Sequence, residues 1–200
     1  MILSWKIPFD YNDKLLGSYD REPGSYETAG SDFDYLALLQ GAPYPPAMDR
    51  PPVHFVCTRA RLLKHDCLWL LGSVPLVSAR LAGFLAGACG QDVELLRPAF
   101  LMAGGEPVDE PFYLLNAMRQ AQVVDLQRSV AQTDDDGNVL YFTRTFFRDD
   151  GLAPASIARE AQSGDLLISG TLAGLMTAAT FRVDKSLGFC RAEGNWQPLP

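Results

Sequence analysis

The chain is poor in the residues that most enzymes lean on. It has two histidines, His54 and His65, in 200 residues, so a serine-histidine relay has few ways to be built. Its four cysteines, Cys57, Cys67, Cys89 and Cys190, form no CxxC pair. Reduced thiols are the expectation, because a chain of this size folds without a disulfide framework. No GxxxxGK[ST] loop is present, and the glycines of FLMAGGEP lead into no Lys-Ser or Lys-Thr that would cradle a phosphate. A long apolar run is missing too. The most apolar stretch, residues 67–89, is broken by Gly72, Ser73, Pro75, Ser78 and Arg80, short of the roughly 18 to 20 apolar residues a membrane helix needs. The start, MILSWKIPFDYND, lacks a basic region leading into an apolar core, so export by a signal peptide is not expected. Excess positive charge is also lacking. With Lys+Arg 17 against Asp+Glu 24 the net charge is -7, which argues against nucleic acid as partner and fits a basic one better.

What is present is enough apolar residues, 48%, to bury one sizeable core, and a single domain is expected over 1–200. Residues 1–52 differ in texture from 53–200. Trp5, Phe9, Tyr11, Tyr19, Tyr26, Phe33, Tyr35 and Tyr44 are scattered among turn formers without a sustained period, and seven acids against three bases up to Tyr44 give this part a net -4. It closes on PYPPAMDRPP, whose five prolines forbid helix. A loop-rich arm packed on the core is expected there. Beyond it VHFVCT (53–58), PFYLLN (111–116), AQVVDL (121–126) and DLLIS (165–169) read as short strands. ARLLKHDCLWLL fits helix and strand alike. Residues 127–132, TDDDGN and VLYFTRTFF read as a hairpin whose Asp-Gly-Asn tip supplies positive φ. The sum is an α+β fold with a mostly antiparallel sheet and a few short helices.

One pattern occurs twice: LVSARLAGFL (76–85) and LISGTLAGLM (167–176). In each, a β-type apolar run ends at a serine, and an Ala- and Leu-rich stretch follows. Ser78 and Ser169 are therefore expected to cap helices over about 79–88 and 170–179. Leu81 with Leu85, and Leu172 with Met176, should face inward. Gly83 and Gly174 cost a helix roughly 1 kcal/mol each relative to Ala, and their equivalent placement suggests close packing against a neighbour. Ten residues used twice do not establish a duplicated domain, since the following segments diverge.

A serine at a strand-to-helix turn also describes the nucleophile of hydrolases. The nucleophile elbow requires G-x-S-x-G, and LVSAR and LISGT do not fit it. A zinc site from His54, Cys57, His65 and Cys67 has suitable residue types but matches no established knuckle spacing. DDDGN lacks the sixth-place glycine and twelfth-place glutamate of an EF-hand loop, having Val139 and Thr145 there. No cofactor is expected. A small zinc-dependent or serine hydrolase stays open as an alternative to a binding protein.

The order PLVSARLAGFL, DVELLRPAF, FYLLN, VVDLQRS, a hairpin, GDLLISGTLAGLM and FRV resembles immunity family eleven of bacterial polymorphic toxin systems, over about residues 66–183. Its marks are hydrophobic-Ser-x-x-Leu near each end and a central hydrophobic-Asp-x-x-x-Ser, here Val124, Asp125 and Ser129. The resemblance implies a cytoplasmic, non-enzymatic protein that neutralises a cognate toxin by binding it. A non-enzymatic interaction domain of another kind is a further alternative. Asp125 and Ser129 read first as turn-closing residues. Interfaces favour aromatic anchors within a polar rim, and acidic surfaces speed encounter with a basic partner such as a nuclease toxin. Tyr19, Asp20, Tyr26, Asp32, Asp34 and Tyr35, with the tip Asp134, Asp135 and Asp136, meet both criteria.

Overall fold

Short apolar runs dominate this sequence, and most of them are buried on both faces, as continuous rather than alternating hydrophobicity requires. The computed structural model describes residues 1–19, 31–137, 139–148 and 151–198. In chain order its elements are β1 (Ile2–Trp5), β2 (Leu16–Gly17), β3 (Pro52–Phe55), α1 (Arg59–Leu62), β4 (Cys67–Leu70), β5 (Val74–Ser78), α2 (Ala79–Cys89), β6 (Val93–Leu96), β7 (Phe100–Ala103), β8 (Glu106–Pro107), β9 (Phe112–Ala117), β10 (Gln120–Ala121), β11 (Val130–Thr133), β12 (Val139–Phe146), β13 (Ile157–Glu160), β14 (Leu166–Ser169), α3 (Gly170–Ala178) and β15 (Phe189–Pro198). The fold is α+β and rich in strand. Three sheets form, ordered β10-β13-β14-β1-β15-β12-β11, β2-β4-β5-β9-β6 and β3-β7-β8. Antiparallel pairs predominate, with parallel ones at β2/β4, β3/β7 and β10/β13.

The period of two sorts side chains between layers. From β4 and β5, Cys67, Trp69 and Val77 join Leu3 and Trp5 of β1 and Leu166 and Ile168 of β14 in one core between the two larger sheets, closed by α2 and α3. Leu68, Leu70, Val74 and Leu76 turn the other way, into a core with β3, β7, Tyr19, Phe33, Leu38 and Tyr44. A third, smaller core behind the seven-stranded sheet takes Ile2, Val123, Leu152, Ala158 and Leu167. Pro75 is tolerated in an inner strand because β9 pairs with β5 only at Leu76, Val77 and Ser78. No helix among the described residues is long and apolar enough to cross a membrane.

Both caps form as expected. Ser78 Oγ accepts from Leu81 N-H at 3.4 Å, and Ser169 Oγ from Leu172 N-H at 3.2 Å. The helices Ala79–Cys89 and Gly170–Ala178 bury Leu81, Leu85, Leu172 and Met176. The glycine expectation fails: a Cβ on Gly83 or Gly174 would meet nothing within 4 Å, so these glycines lie on outward faces and serve no close packing.

Two larger corrections concern the arm and the repeat. Residues 1–52 are not an arm laid on a finished core. ILSW is β1, buried at all four positions in the interior of the seven-stranded sheet between β14 and β15. A strand covered on both faces has no alternation to reveal it. The repeat, in turn, extends far beyond ten residues. The orders β2-β4-β5-β9-β6 and β10-β13-β14-β1-β15 agree in the sense of every pairing, parallel first and antiparallel thereafter, with a helix after the third strand of each. Backbone bonds repeat as well. Ser78 N-H donates to Asp66 O at 2.9 Å and Ala79 N-H to Pro111 O at 3.0 Å, while Ser169 N-H donates to Ser156 O and Gly170 N-H to Met1 O, both at 2.9 Å. The fold is two copies of one five-stranded unit, the second drawing its fourth strand, β1, from the start of the chain.

The units interlock through two carboxylates. Asp66, fully buried, accepts from Ser78 Oγ (2.8 Å), Arg80 (3.1 Å) and the backbone N-H, Nε and Nη2 of Arg182 (2.9, 3.1 and 2.9 Å). Arg80 also reaches Ala179 O at the end of α3, 2.9 Å away. Asp92, beyond α2, accepts from Arg119 Nε at 2.9 Å and from Ser156 N-H at 2.7 Å. Each carboxylate thus ties one unit to the other's strand or helix end. Burial alone would raise the Asp66 carboxyl, but the donors from Arg182 and Ser78 outweigh it and hold it far below the usual carboxylate range.

Candidate interaction surface

The alternative of a hydrolytic or zinc site would draw on Ser78, Ser169, His54, Cys57, His65 and Cys67, and the fold engages each of them elsewhere. The Ser78 hydroxyl is used by Asp66 and Leu81, and the Ser169 hydroxyl by Leu172. His65 Nδ1 lies 3.0 Å from Arg61 O, and His54 packs edge-on against Phe100. Cys57 belongs to one core and Cys67 to another. Burial pushes both thiols up, away from the thiolate a metal would need. Among the described residues no group of three or more His, Cys, Asp or Glu is placed to hold a metal ion. VHFVCT is strand only through Phe55, and beyond it the chain turns Cys57 into the first core while His54 stays beside Phe100.

The residues expected to meet a partner divide sharply. Tyr19 is fully buried, stacks on Tyr35 and packs on Phe33, and donates its hydroxyl to Leu71 O at 3.1 Å. It holds the first core together and is withdrawn from any surface. Tyr35 is half-buried against the same core. Asp34 caps the short 3-10 turn Tyr35–Leu39 by accepting from Leu36 N-H, and Asp32 accepts from Asp49 N-H at 2.7 Å. Both aspartates remain exposed, but their work is to fold the segment. Asp20 and Tyr26 lie outside the described residues. Asp134, Asp135 and Asp136 sit where expected, at a hairpin tip. Asp134 Oδ1 accepts from Asp136 N-H at 3.0 Å and Gly137 takes φ +84, so the acidic side chains project from a formed turn.

That hairpin, β11 and β12, is the most unusual surface of the molecule. The expected strand AQVVDL shrinks to Gln120–Ala121 and one bridge, Val124 to Phe147, because Asp125 starts a turn. Its Oδ1 accepts from Gln127 and Arg128 N-H, while the Ser129 hydroxyl accepts from Phe146 N-H at 2.9 Å. Asp125 and Ser129 therefore clamp the root of the hairpin, as a turn-closing pair should. Above the clamp, apolar residues face water. Leu126, Val130, Leu140 and Tyr141 are 58%, 47%, 63% and 59% exposed, four of the ten large apolar residues most exposed among those described. The Arg128 guanidinium lies over the Phe146 ring, 4.4 Å from its centroid. Four exposed large apolar residues within 126–141, with a cationic root and an acidic tip, are the composition of a docking surface.

A second exposed apolar area lies across the fold, where Val56 and Phe100 are 65% and 46% exposed beside a groove of about 1020 Å³ lined by Leu16, His54, Met102 and Leu71. Sequence reasoning missed this groove, because nothing local says that β2 and β7 meet there. Arg159 was missed as well. It is 1% exposed, with Nη1 donating to Gly164 O at 3.0 Å and burial pushing its guanidinium down to about 10. No family model and no curated protein matches the chain.

Proposed function

We propose that this chain is a cytoplasmic immunity protein that binds and neutralises a cognate protein toxin stoichiometrically, without turnover. The motif order named above supplies the class. The β11–β12 ribbon, with Leu140 and Tyr141 exposed next to Asp134–Asp136, is the single observation that supports the mode of action. Apolar side chains provide the desolvated centre of an interface and the aspartates its polar rim, steering a basic toxin to the site.

Co-expression with the product of the adjacent gene tests both parts. The expected outcome is protection of the cell and co-purification of a complex in fixed ratio. Leu140→Asp with Tyr141→Asp is expected to cost about 2 kcal/mol or more of binding, a roughly thirtyfold rise in Kd, while thermal stability changes little. Full protection by that double variant would refute the ribbon as docking surface. A neighbour without toxicity and without complex formation would refute the immunity reading itself.

A further inference from the structure

Edge strands are dangerous in proportion to how plain they are, and most sheets disarm them with a charge, a proline or a bulge. β11 is the outermost strand of the seven-stranded sheet and reads Val-Ala-Gln-Thr, with no charge and no proline. Bulges do occur in the hairpin, but in the other strand. Val130 and Ala131 oppose Arg144 and Phe142, and Gln132 and Thr133 oppose Tyr141 and Val139, so the extra residues are Thr143 and Leu140 of β12. β11 itself runs without interruption. The opposite edge of the same sheet, β10, is two residues long, and its Gln120 side chain is engaged with Gln40 O. Among the described residues one edge is thus shortened and tied, and no strand pairs with the other.

The charges beside the open edge are ordered along it. Arg128 stands before β11, and Asp134, Asp135 and Asp136 stand after it. A second β11 laid parallel would set arginine on arginine and aspartate on aspartate. Laid antiparallel with the two-fold axis at residue 131 or residue 132, it sets Arg128 of each copy against the acidic tip of the other, and the sequence is complementary to itself. We propose that β11 pairs antiparallel with β11 of a second copy of this chain, joining two seven-stranded sheets across a two-fold axis. Both faces of each ribbon, with Leu140 and Tyr141, stay open in such a dimer, and the acidic tip is the one part of the hairpin that toxin binding and self-pairing share.

Sedimentation equilibrium of the full chain tests this. The wild type is expected to show a reversible monomer-dimer equilibrium that weakens with salt. Arg128→Asp and Asp135→Arg, both at exposed positions, should each raise the dimer dissociation constant by about tenfold or more, because each cross-strand charge pair occurs twice. An equimolar mixture of the two variants should regain wild-type affinity as a heterodimer, since both ends then pair opposite charges. Circular dichroism of each variant checks that the fold is kept. A wild type that stays monomeric overturns the proposal, as does a dimer that neither reversal weakens. If the wild type is monomeric and Arg128→Asp instead weakens capture of the adjacent gene product, the edge receives a toxin strand and the second copy is excluded.

Discussion

Replacing the two capping serines one at a time separates local from long-range stabilisation. Ser169→Ala removes a cap bond of 3.2 Å and nothing else that its hydroxyl makes, so about 1 kcal/mol is expected. Were capping all that mattered, Ser78→Ala would cost less, because its cap bond is longer at 3.4 Å. The buried carboxylate reverses the order. Ser78 Oγ also donates to Asp66 at 2.8 Å, and a hydrogen bond to a charged group contributes roughly 1.5–3 kcal/mol. Arg182 and Arg80 continue to serve Asp66, which trims the loss, so the total for Ser78→Ala is about 2–3 kcal/mol. Urea unfolding monitored by circular dichroism, with unchanged slopes, reads the difference directly. In an Asp66→Asn background the excess should shrink by about 1 kcal/mol. A Ser169→Ala variant that loses as much stability as Ser78→Ala, or more, would refute the argument that Asp66 depends on that hydroxyl.

Gly83→Ala and Gly174→Ala should each stabilise the fold by roughly 0.5–1 kcal/mol, since both sites are helical and open; a loss in melting temperature would show that something covers that face. Asp66 predicts a specific acid sensitivity. Its folded-state pKa lies below the unfolded value, so its contribution is complete at neutral pH and is lost as pH falls below about 4 toward the folded value. Urea midpoints measured between neutral and acid pH should therefore show the gap between wild type and Asp66→Asn narrowing as pH drops, and a gap that stays constant would refute the assignment.

How far the sequence revealed the fold depended on how local the cause was. Ser78, Ser169 and the helices they start were legible because a cap acts within three residues. The hairpin was legible because Asp-Gly needs little context. ARLLKHDCLWLL was ambiguous for a physical reason: it is both, α1 ending at Leu62 and β4 beginning at Cys67. β1 was illegible because ILSW becomes a strand only when β14 and β15, more than 160 residues away, close on it. Shorter but still non-local separations hid Asp66, whose partner Arg182 lies 116 residues on, and made Tyr19 look like a surface anchor when Leu71 and Phe33 bury it. Of the candidate surface, the acidic tip was visible in sequence. The exposure of Leu140 and Tyr141 was not, since VLYFTRTFF gives no sign of which face a partner sheet leaves open.

The duplicated unit indicates where function can reside. Its strands and helices are committed to each other: β5 and β14 lead into capped helices, and Asp66, through Arg182, and Asp92, through Ser156, lock each copy to its counterpart. What the units do not share are their insertions. Between β2 and β4 the first unit carries β3 and the segment with Asp32 and Asp34, and between β6 and β9 it carries β7 and β8. Between β10 and β13 the second unit carries the β11–β12 ribbon. Leu36, Val56 and Phe100 lie in the first set and Leu126, Val130, Leu140 and Tyr141 in the second, so among the described residues seven of the ten most exposed large apolar residues fall in insertions. A scaffold built twice from one pattern is constrained twice over, and a change in it must satisfy both copies' shared core. Insertions escape that constraint. Under the immunity function proposed above, partner specificity falls to the ribbon and the groove, and a swap of residues 126–146 between related chains should carry the choice of partner with it while leaving the two capped units intact.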